Sequence, residues 1–265
     1  MYYTKTQLYK QLEQINAPRK SVVMVHSSLR AVGDTEGRGE GLLEVLIDYF
    51  TSEGGLLCIP THTWAFNDEF ALDMMSDKTC VGVLTQIAAR HPSAHRSQHP
   101  THSTAVFGNP EKAEEYIAFD SVSQTSTNPS GCYGRLYTEN GYVMLIGVGH
   151  NKNTYIHSVE EMLNVPNRLS KEPLNLKIRK KDGTVVMRQL HCHRAEGIGD
   201  VSAHYPKYEP AFRYNGCIVD GQLGNADIQL CSAVKMKNTV ELIRKRSGGA
   251  ELLSDDVPLD EKLYK

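Results

Sequence analysis

A chain of 265 residues, 40% apolar and 23% charged, is long enough to bury a core and has the balance of an ordinary globular protein. A formal charge of −2 gives no electrostatic reason to expect nucleic acid or an anionic membrane as partner. No run approaches the roughly 18 apolar residues of a membrane span, so a soluble protein is expected.

The opening Met1-Tyr2-Tyr3-Thr4-Lys5-Thr6 lacks the apolar stretch of a signal peptide. Six cysteines, Cys58, Cys80, Cys132, Cys192, Cys217 and Cys231, include no C-x-x-C pair. That fits neither a disulfide framework nor a zinc ribbon and points to a reduced, cytoplasmic compartment.

Thr4 and Gln7 form a capping box, Tyr3 and Leu8 sit at the staple positions, and Leu8, Leu12 and Ile15 share one face. A first helix is therefore predicted, stopped by Pro18. Ser21-Val22-Val23-Met24-Val25-His26 is a short β-branched run without alternation, the pattern of a buried strand. After a loop with Gly33, Gly37 and Gly39, residues Leu42, Leu43, Leu46, Ile47 and Phe50 mark a helix closed by Glu53-Gly54-Gly55. Leu56-Leu57-Cys58-Ile59 follows as a strand, and strand, helix and strand at this spacing make a parallel βαβ unit.

Farther on, 82–89 reads as helical, 104–107 as extended and 110–118 as helical. The Ser/Pro/Gly-rich stretch 121–134 is too long for a bare connector and is a candidate binding loop. Residues 142–146 form a third buried strand, followed by Gly147, Gly149 and a helix starting near Asn153. Leu176 and Ile178 alternate with charged residues, Asp182-Gly183 signals a hairpin turn, and 185–193 is the partner strand, an antiparallel extension of the sheet. A helix over 234–246 precedes a charged tail.

With no internal repeat and no clear linker, residues 1–265 are read as a single α/β domain. Its expected architecture is a layered α/β/α with a central, mostly parallel sheet and an antiparallel hairpin extension. Ligands of such sheets bind beyond the carboxyl ends of the strands. Polar segments at 26–28, 61–63 and 149–157 leave those ends together, which locates the candidate site.

Four segments in order carry a resemblance to a known family. They are Val25-His26-Ser27-Ser28-Leu29-Arg30-Ala31-Val32-Gly33, Gly54-Gly55-Leu56-Leu57-Cys58-Ile59-Pro60-Thr61, Arg96-Ser97-Gln98-His99-Pro100 with Ser103 and Gly108, and Leu145-Ile146-Gly147-Val148-Gly149-His150 followed by Thr154-Tyr155-Ile156-His157-Ser158-Val159-Glu160. Together they resemble the signatures of the aminoglycoside 3-N-acetyltransferase family and cover roughly residues 1–165. Residues 166–265 match in outline only. The resemblance implies transfer of an acetyl group from acetyl-coenzyme A, as co-substrate, to a primary amine of a small polar molecule. The first acceptor it implies is the 3-amino group of a 2-deoxystreptamine aminoglycoside, an antibiotic-resistance activity. No metal, nucleic acid or membrane is called for, and the state expected is a monomer or homodimer.

Such a transfer needs a base for the amine, donors for the developing oxyanion and a hold on the coenzyme. His157 is the base the resemblance implies; its place in the first turn of a helix favours a neutral ring, although such a histidine can equally satisfy backbone groups. Glu160, three residues on, would orient that ring or bind a cationic amine. Asp68 would hold the imidazole or the ammonium, with Asn67 as the alternative register and a solvated loop acid as the bland one. Ser27, Ser28, Leu29, Arg30 and Gly33 are expected to hold the coenzyme, or simply to build a turn and a helix cap. Arg96 and Ser103 are carried over as contributors to the coenzyme cleft, Arg96 equally as a structural ion-pair partner. Acids Asp68, Glu69, Glu160 and Glu196 suit a cationic acceptor, and His191 and His193 would share a strand face and shape its pocket.

Alternatives remain open. His191, Cys192 and His193 could bind zinc, whereas Pro92 and Pro100 break the helical spacing of His91, His95, His99 and His102. A transferase of this fold could act on another amine. Ser27 or Ser28 with His157 and Asp68 could make a hydrolase, against which stands the absence of a G-x-S-x-G elbow. A binding module without chemistry is a further reading.

Overall fold

The computed structural model describes residues 2–65, 68–76 and 78–265. Its strands, in chain order, are β1 (Tyr2–Tyr3), β2 (Val22–Ser27), β3 (Asp34–Thr35), β4 (Leu56–Pro60), β5 (Leu72–Asp73), β6 (His95–Arg96), β7 (Thr104–Phe107), β8 (Tyr142–Ile146), β9 (Leu174–Arg179), β10 (Val185–Leu190), β11 (Ile218–Leu223) and β12 (Ala226–Ser232). Seven of them form the central sheet in the order β11-β12-β8-β2-β4-β7-β6. Its heart, β8-β2-β4, is parallel, as the uninterrupted apolar runs require. Antiparallel strands flank that heart on both sides.

Side chains alternate across the heart of the sheet. Val23, Val25, Leu57, Ile59, Met144 and Ile146 face one apolar cluster, and Met24, Cys58, Val143 and Leu145 face another. Helices Lys5–Gln14, Arg38–Thr51 and Val83–Arg90 cover the first face. Tyr155–Met162, Glu209–Tyr214 and Ala233–Arg246 cover the second, completing the α/β/α layering. The capping box is present: Thr4 accepts from the Gln7 amide, and the Gln7 side chain accepts from the Thr4 amide.

The hairpin at Asp182-Gly183 forms, but β9 and β10 do not extend the central sheet. They join β5 in a separate three-stranded sheet. Ile178 and Val186 pack there on Leu72 and Met74, a small core of its own. The antiparallel extensions of the central sheet are β11–β12, turned at Gly224-Asn225, and β7–β6 at the opposite edge. Strand β10 also ends at Leu190, leaving His191 and His193 in isolated bridges to Thr125 and Leu169. Among the described residues, no helix is long and apolar enough to cross a membrane.

Candidate active site

A cleft of about 920 Å³ opens beyond the carboxyl ends of β2, β4 and β8. Val25, His26 and Ser27 line it from β2, His62, Thr63 and Trp64 from the chain after β4, and Asn151, Thr154 and His157 from the segment after β8. Ser126 of the 121–134 loop and Cys192 and His193 close another side. The three segments expected to converge do so.

His157 sits in the first turn of helix Tyr155–Met162, its side chain 13% exposed. Its Nδ1 lies 2.7 Å from the Tyr205 hydroxyl, which in turn lies 2.5 Å from Oε2 of Glu160. Glu160 is 1% exposed, and Nε of Arg168 donates to its Oε1 at 2.5 Å. Burial acts to raise the Glu160 carboxyl, but the neighbouring His157 and Arg168 outweigh it and hold it below the usual carboxylate range. An ionised Glu160 accepts the one Tyr205 proton, so the Tyr205 oxygen accepts from His157. In a neutral ring the proton therefore sits on Nδ1 and the lone pair on Nε2.

Other imidazoles crowd the same wall. His193 stacks face to face on His157, ring centroids 3.9 Å apart and planes 17° apart. His102 meets His193 at 5.0 Å and His62 at 4.6 Å. Burial, then the neighbouring His157 ring, pushes His193 down to about 4, and burial alone takes His26 to about 4. Burial, with neighbouring histidines second, holds His62 and His102 well below the usual histidine range. Those four rings are thus neutral hydrogen-bonding groups. Among the described residues that line the cleft, the charged side chains are Lys152 and Asp200.

Several expected residues lie elsewhere. Asp68 is exposed and paired with Lys78 at 2.6 Å in a side depression whose described lining does not include His157. Asn67 lies outside the described residues. Glu69 is exposed and 3.7 Å from Lys177, and Glu196 is exposed and 2.8 Å from Lys171. Glu160 is buried and absent from the described cleft lining, and it is linked to His157 through the Tyr205 hydroxyl. Of the acids expected to bind a cation, none lines the cleft.

Arg96 and Ser103 are 5% and 0% exposed. Arg96 Nη2 and Ser103 Oγ both donate to the Thr61 carbonyl, at 3.2 and 2.8 Å, so they brace the strand ends beneath the cleft rather than line it. Ser27 does line it. Ser28 caps helix Leu29–Val32 by accepting from Ala31 N at 3.3 Å, and Leu29 packs into the apolar cluster. Arg30 is exposed on that short helix. Gly33 takes φ +85°, and an added Cβ would stand 2.6 Å from Asn225, so its conformational role holds.

The ring of His191 bonds the Ser170 carbonyl at 2.7 Å and does not share a wall with His193. Among the described residues no group of three or more His, Cys, Asp or Glu is placed to hold a metal. Neither Ser27 nor Ser28 hydrogen-bonds His157 among those residues, so the hydrolase arrangement is not assembled. Sequence reasoning missed Tyr205, and it passed over His62 although Thr61-His62-Thr63 had been placed at a strand end.

The family model described as aminoglycoside 3-N-acetyltransferase matches residues 24–243. Aminoglycoside N(3)-acetyltransferase IV of Salmonella sp is 28% identical over 200 residues, 75% of this chain and 74% of that one. The solved apoenzyme of aminoglycoside acetyltransferase AAC(3)-IVa superposes with a TM-score of 0.77 at 25% identity, covering 94% of this chain and 90% of that one. A structure described as AAC-IIIb binary with CoASH has the same fold, TM-score 0.76 at 18% identity, with 93% and 98% covered.

Proposed function

Because the chain belongs to the aminoglycoside 3-N-acetyltransferase family, a family of acyltransferases, we propose that it acetylates an aminoglycoside amine with His157 as general base. Acetyl-coenzyme A is the proposed acetyl donor, and the 3-amino group of a 2-deoxystreptamine ring is the proposed acceptor. The observation that carries the reading is the Glu160–Tyr205–His157 chain, which leaves a basic Nε2 on a ring that lines the cleft.

Features of the cleft fit a coenzyme that is a thiol arm with a phosphate head. Val148, Leu174 and Leu176 give an apolar wall, and Ser27 and Lys152 a hydroxyl and a cation at the mouth. Arg30, exposed beyond β2, adds a second cation at that strand end. The buried Nε2 of His26, which has no partner among the described residues, is a polar atom waiting for a ligand group. When bound, the coenzyme supplies a thioester whose acyl carbon accepts an amine.

His157 Nε2 takes the proton that the attacking amine must lose. The imidazolium so formed is held through Tyr205 by the ionised Glu160. That carboxylate stays ionised because Arg168 bonds it, and Arg168 is itself clamped by Glu251 at 2.8 and 2.9 Å. Thioester turnover against a panel of aminoglycosides and other primary amines tests the function. His157→Ala should lower kcat by about a hundredfold or more while coenzyme affinity holds. Near-normal turnover by a folded His157→Ala protein would refute the mechanism.

A second reading, an acetyltransferase of this fold for a less cationic amine, is favoured by the cleft wall, whose carboxylate is Asp200 alone among the described lining residues. Turnover of such amines with every aminoglycoside inert would establish it.

A further inference from the structure

Next to Glu160 in the chain stands a second buried acid. The side chain of Glu161 is 6% exposed. Its carboxylate accepts from Thr125 Oγ1 at 2.5 Å, from the Thr127 amide at 2.9 Å and from Thr127 Oγ1 at 2.7 Å. The single Thr127 hydroxyl proton is thereby committed, so that oxygen accepts from Nε2 of His193 at 3.0 Å. His193 lies flat on His157. A chain Glu161–Thr127–His193 therefore runs beside Glu160–Tyr205–His157, and both end on the same pair of rings.

The two chains differ in charge. Glu160 has the Arg168 guanidinium as counter-ion, whereas among the described residues no lysine or arginine pairs with Glu161. A buried carboxylate without a cation is costly unless one forms nearby. The cations within its reach are the imidazoliums of the stack, His193 Nε2 being 3.6 Å away. Burial first, then His157, keeps His193 itself neutral. The remaining groups that face the stack are Tyr205, Glu160 with its Arg168, and His102, a ring that burial also keeps neutral.

We propose that Glu161, acting through Thr127 and His193, is a positioning residue for acetyl transfer. It holds His193 flat on His157 and supplies the buried negative charge that balances the proton His157 takes from the acceptor nitrogen. In that step the acceptor N–H bond breaks and the Nε2–H bond of His157 forms. The inference rests on the reading of His157 as base.

The test compares Glu161→Gln, Thr127→Val and Thr127→Ser in the full chain, with kcat, KM for both substrates and the pH–rate profile measured. Glu161→Gln should lower kcat by about tenfold, less than loss of the base itself, with coenzyme affinity unchanged. The sign of the pH effect follows from the charge. Without the carboxylate the imidazolium is less favoured, so the neutral ring persists further into acid. The acidic limb then moves to lower pH by about one unit, for a unit charge one ring away at an effective dielectric constant of about 20.

Thr127→Val keeps the negative charge of Glu161 and should leave the limb near its wild-type position, but His193 loses the hydroxyl that holds it, so kcat should fall several-fold; Thr127→Ser, which keeps the hydroxyl, should restore it. Glu161→Gln with His193→Asn should be no worse than His193→Asn alone, since both break one chain. An unmoved limb in Glu161→Gln, or fully additive losses, overturns the proposal. Should Glu161→Gln fail to fold, a wild-type kcat in Thr127→Val overturns it equally. His157→Ala run alongside separates the two readings. An active His157→Ala protein removes the base itself, whereas an inactive one with an unmoved limb in Glu161→Gln removes only the role of Glu161.

Discussion

Tyr205→Phe removes a single oxygen atom and tests the core of the mechanism. That oxygen donates to Glu160 at 2.5 Å and accepts from His157 at 2.7 Å, while the direct gap from His157 Nδ1 to Glu160 Oε2 is 3.7 Å. Among the described residues Tyr205 alone bonds both His157 and Glu160, while Arg168 holds the second Glu160 oxygen. A hydrogen bond to a charged group contributes about 1.5–3 kcal/mol. Since Oε1 keeps its guanidinium, the lower part of that range applies to folding, about 2 kcal/mol, or a fall in melting temperature of about 5 °C. Catalysis loses the same bond when the imidazolium forms, which lowers kcat by about ten- to a hundredfold. The ring also loses the acceptor that kept its proton on Nδ1, so part of the population would carry it on Nε2 and be no base. Steady-state kinetics gives the rate, and ¹⁵N chemical shifts of the His157 ring give the tautomer. Coenzyme affinity should not change, for Tyr205 is wholly buried behind the ring. A Tyr205→Phe enzyme with wild-type kcat and the same tautomer would refute the relay.

Arg168→Met leaves Glu160 buried without its cation and should cost about 3–5 kcal/mol of stability in urea unfolding, partly recovered by adding Glu160→Gln; equal stability would show the pair to be dispensable. Acid should destabilise the fold early. His26 and His193 have folded values near 4, below the ordinary histidine value, so the unfolded chain binds more protons as pH falls. The stability present above about pH 6.5 is then lost towards pH 4, about 2 kcal/mol per ring by pH 5. Glu160, Glu161 and Glu251, also held below their ordinary range, add losses at lower pH still. Melting temperatures recorded from pH 7.5 to 4.5 should fall steeply, and a flat profile from pH 7 to 5 would contradict the burial of these rings.

The parallel heart of the sheet was legible because β2, β4 and β8 are buried on both faces and so carry unbroken apolar runs. Strand β11 was not, since Asp220 and Gly221 interrupt it. The glycine is there for packing: an added Cβ would lie 2.3 Å from Ile15. The turn at Asp182-Gly183 was visible, but its sheet partner β5 has two residues and no pattern to read. Asp68 was placed by nearness to a strand end, which fixes where a loop begins and not where it turns.

Within the site, His157 was legible from its own segment, while Tyr205 lies 48 residues away in a 3₁₀ stretch without periodicity. The neighbouring acids show why spacing alone could not assign the pairing. Glu160 and Glu161 stand three and four residues beyond His157, and both positions are within reach on a helix. Successive helical residues diverge by about 100°, so the two carboxylates leave on different sides, one to Tyr205 and Arg168, the other to Thr125 and Thr127. Neither carboxylate bonds the His157 ring directly. A hydroxyl between acid and ring fixes the tautomer and passes on the charge, yet keeps the carboxylate one bond away from the proton being moved. In the proposed mechanism Glu160 can then remain ionised throughout a cycle in which His157 gains and loses a proton.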